Sequence, residues 1–298
     1  MKLRIVTVPY RYDERNDGLG LGPQALLDHG LVEALQAAGV EVPEVVTAEL
    51  TDSERVQGPV AVNIGRLGAN AGALVARGRS AGELVLVLAG DDTASVGVIS
   101  GLQQAHGAAH RIGIVWLDAH GDFNTPETSV SNILAGMPLA ILAGLAGPLW
   151  REAAMLAATV PTDRMLVAGV RELDDAEERL LRSTDVRLLR QAETMDGTTF
   201  AEAVDALAAK VDELYVHVDL DVLDPSLVPS SSTPSPRGLS LRQLESLLAT
   251  TCSTGKVGVI GVAGLNPGAG ERGQRSVETT HALLVSALPR WSDTEANP

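Results

Sequence analysis

Short, almost uninterrupted apolar runs alternate along this chain with longer stretches whose apolar residues recur at helical spacing. "LRIVTVPY" is followed by "GPQALLDHGLVEALQAAG", "ELVLVLAG" by "TASVGVISGLQQAH", and "RIGIVWLDA" by "GMPLAILAGLAG". Then come "RMLVAGV", "DELYVHVDLDVLDP" and "KVGVIGVAGLNP", and the pattern closes with "ERGQRSVETTHALLVSALPRW". Runs without a polar face belong to strands covered on both sides, and the helical stretches between them supply the crossovers that parallel strands need. The pattern therefore predicts an α/β fold with a mostly parallel central sheet. Residues 22–38 read as one helix, with Pro23 in its first turn and Gly39 at its end. The cluster "PSLVPSSSTPSPRGLS" at 225–240 is too short to link domains and reads as a rigid loop. With no repeat and no boundary, the expectation is a single domain over 1–298 with a frayed tail at 292–298.

Composition changes the picture little. A chain of 298 residues with 45% hydrophobic content can bury a large core. It has no apolar run of the roughly 18 residues that a membrane span needs. Its start, "MKLRIVTVPYRYDERND", alternates like a strand and turns charged where a signal peptide would continue. The lone cysteine, Cys252, excludes an intramolecular disulfide framework and a cysteine-rich zinc site, and reads as a buried thiol. Together these features predict a cytoplasmic protein with no membrane partner. Net charge is more selective: 23 basic against 38 acidic side chains give -15, which would repel a phosphate backbone and argues against nucleic acid. The same balance admits a cationic substrate or metal ions, although acidity serves solubility alone in many proteins.

Candidate chemistry gathers at three strand ends: "AGDD" at 89–92, "DAHGD" at 118–122 and "HVDLDVLDP" at 217–225. Open parallel sheets bind ligands beyond the C-terminal ends of their strands. Period two places Asp118, His120 and Asp122 on one side of the departing chain, and Asp219 and Asp221 repeat the device. A lone D-x-H or D-x-D is most often turn chemistry, but three acidic segments at strand ends, without a Lys or Arg among them, call for a cation. One imidazole among carboxylates suits a borderline ion such as manganese better than calcium. His217 lies on the same side of its strand but roughly 7 Å deeper than Asp219, so it reads as a core residue behind the ligands, with replacement ligand as the alternative. His29, His106, His110 and His281 read as surface or packing residues.

In this order and at these intervals, "AGDDTAS", "DAHGDFN" and "DLDVLDP" resemble the metal motifs of the ureohydrolase superfamily, the arginases, agmatinases and formimidoylglutamases. The likeness runs from "GLGLGPQALLDHGLVEAL" to "NPGAGERGQRSVETTHAL". It implies a three-layer αβα sandwich and two manganese ions held by Asp92, Asp118, His120, Asp122, Asp219 and Asp221. Asp118, together with Asp221 or Asp219, would bridge the ions. Ureohydrolases are often trimers or hexamers, so a homo-oligomer is expected. Three positions depart from the family. Asp92 stands where a histidine ligand is usual and adds a negative charge, which should raise the pKa of a bridging water. Ala135, in "SNILAG", occupies the place of the histidine proposed to shuttle protons in arginases. Gly264, in "AGLNP", replaces the glutamate that meets the guanidinium. Asn124, Ser129 and Ser131 match positions that arginases use to hold the α-carboxylate, and Asp174 matches one near the α-amino group.

The resemblance thus implies hydrolysis of a linear amidine C–N bond by attack of a metal-bridging hydroxide, with Asp122 passing a proton to the leaving nitrogen. The altered positions favour a less basic, modified guanidino amino acid, such as an N-hydroxyarginine-like substrate. Arginase or agmatinase activity proper, a formimidoyl-type amidine hydrolase, and a non-catalytic metal-binding relative are the alternatives.

Overall fold

Every residue of Ile112–Leu117, Met165–Val170, Glu213–Asp219 and Val257–Ala263 is buried, which is why these runs carry no polar face. In a computed structural model, which describes residues 1–292, they belong to one eight-stranded sheet. Its strands are β1 (Leu3–Val8), β2 (Val45–Thr47), β3 (Leu84–Ala89), β4 (Ile112–Leu117), β5 (Met165–Val170), β6 (Arg187–Arg190), β7 (Glu213–Asp219) and β8 (Val257–Ala263). Their order is β2-β1-β3-β8-β7-β4-β5-β6, and every neighbouring pair is parallel. All C-terminal ends therefore lie along one edge. The four central strands bring the ends of β3, β8, β7 and β4 side by side, and with them Asp92, Gly264, Asp219 and Asp118.

Side chains alternate across the sheet into two cores. Leu86, Leu88, Val115, Leu117, Val216 and Val218 point to one layer, formed by helices Gly22–Asp28, Leu31–Ala37, Gly197–Ala208, Leu241–Cys252 and Glu271–Ala287. Val85, Val87, Ile114, Trp116 and Tyr215 point to the other, formed mainly by Val60–Ser80, Ala94–His106 and Pro138–Leu142. The result is the three-layer αβα sandwich. Cys252 is buried in the first core.

The stretch expected as one helix over 22–38 is two, Gly22–Asp28 and Leu31–Ala37. Gly30 breaks it by adopting φ +83°, a left-handed conformation that no α-helix continues through. Leu26, Leu31 and Leu35 still reach the same core, so the apolar periodicity runs across the break without showing it. Residues 225–240 form the expected loop: Leu223 bridges Leu239 across its base, and the Ser230 hydroxyl donates to the Ser276 hydroxyl at 2.8 Å. At the C-terminus a 3-10 turn spans Leu288–Ser292, and the rest of the expected tail, 293–298, lies outside the described residues. Among the described residues no helix is long and apolar enough to cross a membrane.

One helix pair fixes the entry to the functional edge. Val60–Ser80 and Ala94–His106 cross glycine against glycine: a Cβ on Gly97 would stand 2.3 Å from the Gly68 carbonyl oxygen, and one on Gly101 2.4 Å from that of Gly72. This close crossing seats Ala94–His106, whose first turn directly follows Asp91 and Asp92.

Candidate metal centre

The acidic groups converge through turns. Regular strand ends at Leu117, so Asp118, His120 and Asp122 all lie beyond it, and Asp221 lies in a 3-10 turn, Leu220–Val222. Pleat alternation, the expected device, is not what aligns them. Asp118 is fixed instead by the backbone N–H of His120, which donates to Oδ1 at 2.7 Å, and by the Trp116 indole, which donates to Oδ2 at 3.0 Å. Asp122 has φ +46°, a conformation uncommon outside glycine. The Asp219 carboxylate accepts from the Asp221 N–H at 2.7 Å and so shapes the turn that carries Asp221. Asp221 in turn accepts from Ala119 N–H at 3.1 Å and from the Thr233 hydroxyl at 2.8 Å. The two segments thereby hold each other.

Two trios of donors result, each with its ligand atoms within 4.8 Å of one another: Asp118, His120 and Asp221, and Asp92, Asp118 and Asp122. Asp118 belongs to both, the position a bridging carboxylate requires. Asp219 belongs to neither trio, but it is buried and lines the same cleft. His120 Nδ1 lies 3.3 Å from Asp118 and 3.1 Å from Asp221.

Electrostatics shows how much this cluster wants a cation. Burial first, and then the charges of neighbouring carboxylates, hold Asp122 and Asp219 well above the usual carboxylate range. The same causes push Asp221 up to about 6. Burial also opposes ionisation of Asp118, but hydrogen bonding to His120 and its charge outweigh burial and hold the group low. For His120 burial acts to lower the pKa, yet the hydrogen bonds and charges of Asp118 and Asp221 push it up to about 11. Crowded carboxylate oxygens with one imidazole suit manganese-type ions, so the residues present fit the pair of ions that the resemblance implies.

Asp92 has its own support. The His217 ring stacks on Trp116 with centroids 3.7 Å apart, and its Nε2 lies 2.8 Å from Asp92 Oδ1. The Tyr215 hydroxyl is 2.8 Å from His217 Nδ1. A carboxylate at Asp92 would accept from Nε2–H, the tautomer in which Nδ1 accepts from the phenol. Such a chain orients a ligand and spreads its charge. His217 is thus a buried residue behind the candidate ligand Asp92. The adjacent Asp91 is spent on its turn, accepting from Tyr12 N–H at 2.7 Å and Thr93 N–H at 3.0 Å.

Above the trios opens a cleft of about 790 Å³, with Asp92, His120, Asp122 and Asp219 among its lining and Asn124, Ser131 and Asp174 on its walls. Ser129 is not on that wall: its hydroxyl accepts from Asn132 N–H at 3.0 Å and shapes the loop. Asn124 is braced by the Thr128 hydroxyl, which donates to Oδ1 at 2.9 Å. Ala135 and Gly264 both face the cleft. Gly264 sits between the neighbouring strand ends, its N–H donating to Gly90 O at 3.1 Å. It has φ +88°, and a Cβ there would stand 2.6 Å from Asp219 Oδ1.

Sequence reasoning missed Glu177 and Arg171, which also line the cleft. Glu177 accepts from Phe123 N–H at 2.9 Å, and burial, with help from Asp174 and Asp118, pushes it up to about 7. Arg171 donates to the carbonyls of Asp221 and, at 3.0 Å, Ser235, so it ties the end of β5 to the Asp221 turn and the 225–240 loop. Both lie in "VRELDDAEE", directly after a strand, where only Asp174 stood out.

Comparison with known proteins identifies the family and agrees with the fold. The model of the arginase family matches residues 1–289. An arginase of Bacillus caldovelox is 29% identical over 254 residues, covering 81% of this chain and 83% of that protein. The native structure of Bacillus caldovelox arginase at pH 5.6 aligns with a TM-score of 0.83 and 26% identity, over 96% of this chain and 97% of that one. Entamoeba histolytica arginase, solved in complex with L-ornithine, shares the fold with a TM-score of 0.80 at 22% identity, over 96% and 98% of the two chains.

Proposed function

The chain belongs to the arginase family, and from that premise we propose that it is a manganese-dependent hydrolase cleaving the C–N bond of a linear amidine in a modified guanidino amino acid, of the N-hydroxyarginine type. The observation that carries this reading is the pair of donor trios sharing the buried Asp118, whose members Asp92, His120 and Asp122 line a cleft. Two bound manganese ions would polarise the substrate and lower the pKa of a water, the chemistry that attack on a trigonal amidine carbon requires. Asp118, His120 and Asp221 would hold one ion, and Asp92, Asp118 and Asp122 the other, with Asp219 completing the set. Asp122, which lines the cleft, would move a proton toward the leaving nitrogen, a role the Ala135 methyl group cannot take.

The substrate's reacting end is constrained by what Gly264 lacks. A protonated guanidinium would find no carboxylate there, whereas a less basic amidine needs less counter-charge. Asn124, Ser131 and Asp174 would hold an amino-acid end, with Ser129 acting through the turn it shapes. A neighbour solved with L-ornithine supports an amino-acid rather than an amine ligand. Arginine itself is the second reading, favoured by the names of the relatives and by Glu177 on the cleft wall.

The test combines metal content with turnover. Elemental analysis after manganese reconstitution should give two ions per wild-type chain and a loss of both in Asp118→Ala, since that side chain belongs to both trios. With the wild type loaded, kcat/KM for N-hydroxyarginine should exceed that for arginine at least tenfold, with agmatine lower still. Arginine turnover equal to or above N-hydroxyarginine turnover would replace this substrate assignment by the second reading. Normal manganese content with no hydrolysis of any of the three would remove the enzyme reading.

A further inference from the structure

At the opposite edge of the sheet, two histidines and a glutamate converge without any part in the site above. Glu213 opens β7 six residues before Asp219, so at about 3.3 Å per residue the two lie roughly 20 Å apart. His106 ends helix Ala94–His106, and His110 follows in the turn that leads to β4. His110 Nε2 is 3.1 Å and His106 Nε2 3.4 Å from the same oxygen, Glu213 Oε2. Their rings lie 4.6 Å apart, and the donor atoms of all three side chains fall within 4.8 Å of one another.

The surroundings are those of a built site. Arg79 Nε donates to the other glutamate oxygen, Oε1, at 2.7 Å and so fixes Oε2 toward the two rings. His110 Nδ1 has Asp212 Oδ2 at 4.0 Å behind it, while Asp212 itself is paired with Arg111. The Glu213 side chain is 5% exposed and the histidines 21% and 27%, so the carboxylate is buried while both rings remain reachable from a cleft of about 230 Å³. "HGAAH" also has the H-x3-H spacing common among zinc ligands.

We propose that His106, His110 and Glu213 form a separate metal site that takes a zinc-type divalent cation. Two imidazoles and one carboxylate favour zinc or cobalt over the manganese suited to the oxygen-rich centre. Three protein donors on a partly open site leave the fourth tetrahedral position to solvent. Bound there, the ion pins the 107–110 turn and the end of helix Ala94–His106 to the start of β7. This assignment does not rest on the hydrolase reading.

The test uses manganese-loaded protein. After incubation with zinc and desalting, the wild type should retain one more zinc per chain than His106→Gln/His110→Gln, with equal manganese in the two proteins. Zinc should raise the Tm of the wild type and leave that of the double variant unchanged. Cobalt(II) added to manganese-loaded wild type should give the visible absorption band of a four-coordinate ion, a readout that needs no variant. Equal zinc retention in the two folded proteins, or absence of that cobalt band in the wild type, overturns the proposal.

Discussion

At the scale of single residues, Gly264 weighs most on the substrate proposed above. Its φ of +88° and the 2.6 Å approach of a Cβ to Asp219 Oδ1 make the glycine a backbone requirement here. Restoring a glutamate cannot simply return a guanidinium partner. Gly264→Glu should cost about 1–3 kcal/mol of stability from the strained backbone, lower manganese content by displacing Asp219, and leave arginine turnover no higher than in the wild type. Urea unfolding, elemental analysis and an arginine assay check the three parts, and a gain of arginine hydrolysis with full manganese would refute the argument. The candidate ligand positions stood out because carboxylates at strand ends are a local sequence pattern. The partnership of His217 with Asp92 did not, since it joins residues 125 positions apart across β8. Sequence placed His217 behind the ligands but could not say which of them it supports.

Among elements, the six inner strands were legible because burial on both faces leaves continuous apolar runs, whereas the edge strands β2 and β6, partly exposed and short, gave no such run. Helix ends were not legible: Leu26 and Leu31 keep one apolar stripe while Gly30 turns the backbone between them. The crossing of Val60–Ser80 with Ala94–His106 was hidden too, because glycine carries no hydropathy signal and its contribution is space. There the backbones approach so closely that even a methyl group has no room. Gly97→Ala should therefore destabilise the protein by about 1–3 kcal/mol through overpacking, even though alanine is the better helix former. Chemical denaturation would show it as a lower midpoint with an unchanged slope, and an unchanged or raised midpoint would mean that the crossing relaxes freely.

For the molecule as a whole, the buried acids make stability a function of pH. Glu177 is pushed from 4.5 up to about 7, so between those values the folded state holds this proton more tightly than the unfolded chain does. Its contribution is fully present below about 4.5 and is lost as pH rises through about 7. Glu177→Gln keeps an oxygen acceptor for Phe123 N–H and removes the titration. In manganese-free protein it should match the wild type near pH 4.5 and be more stable at pH 8 by on the order of 1–3 kcal/mol. Thermal unfolding at the two pH values measures this, and a difference independent of pH would remove Glu177 as the cause.

The strand order also governs when the molecule can become complete. β8, at Val257–Ala263, fits between β3 and β7, although both precede it in the chain. Until it arrives, β2-β1-β3 and β7-β4-β5-β6 have no shared strand, and Asp92 is held on one side of the gap while Asp118, Asp122, Asp219 and Asp221 wait on the other. During synthesis the first 256 residues can prepare two half-sheets but not join them. Such long-range closure is slow and leaves hydrophobic strand edges open meanwhile. Joining of the two half-sheets, and with it the meeting of Asp92 with the other carboxylates, therefore waits for β8, and a chain released before Val257 lacks the strand that joins them.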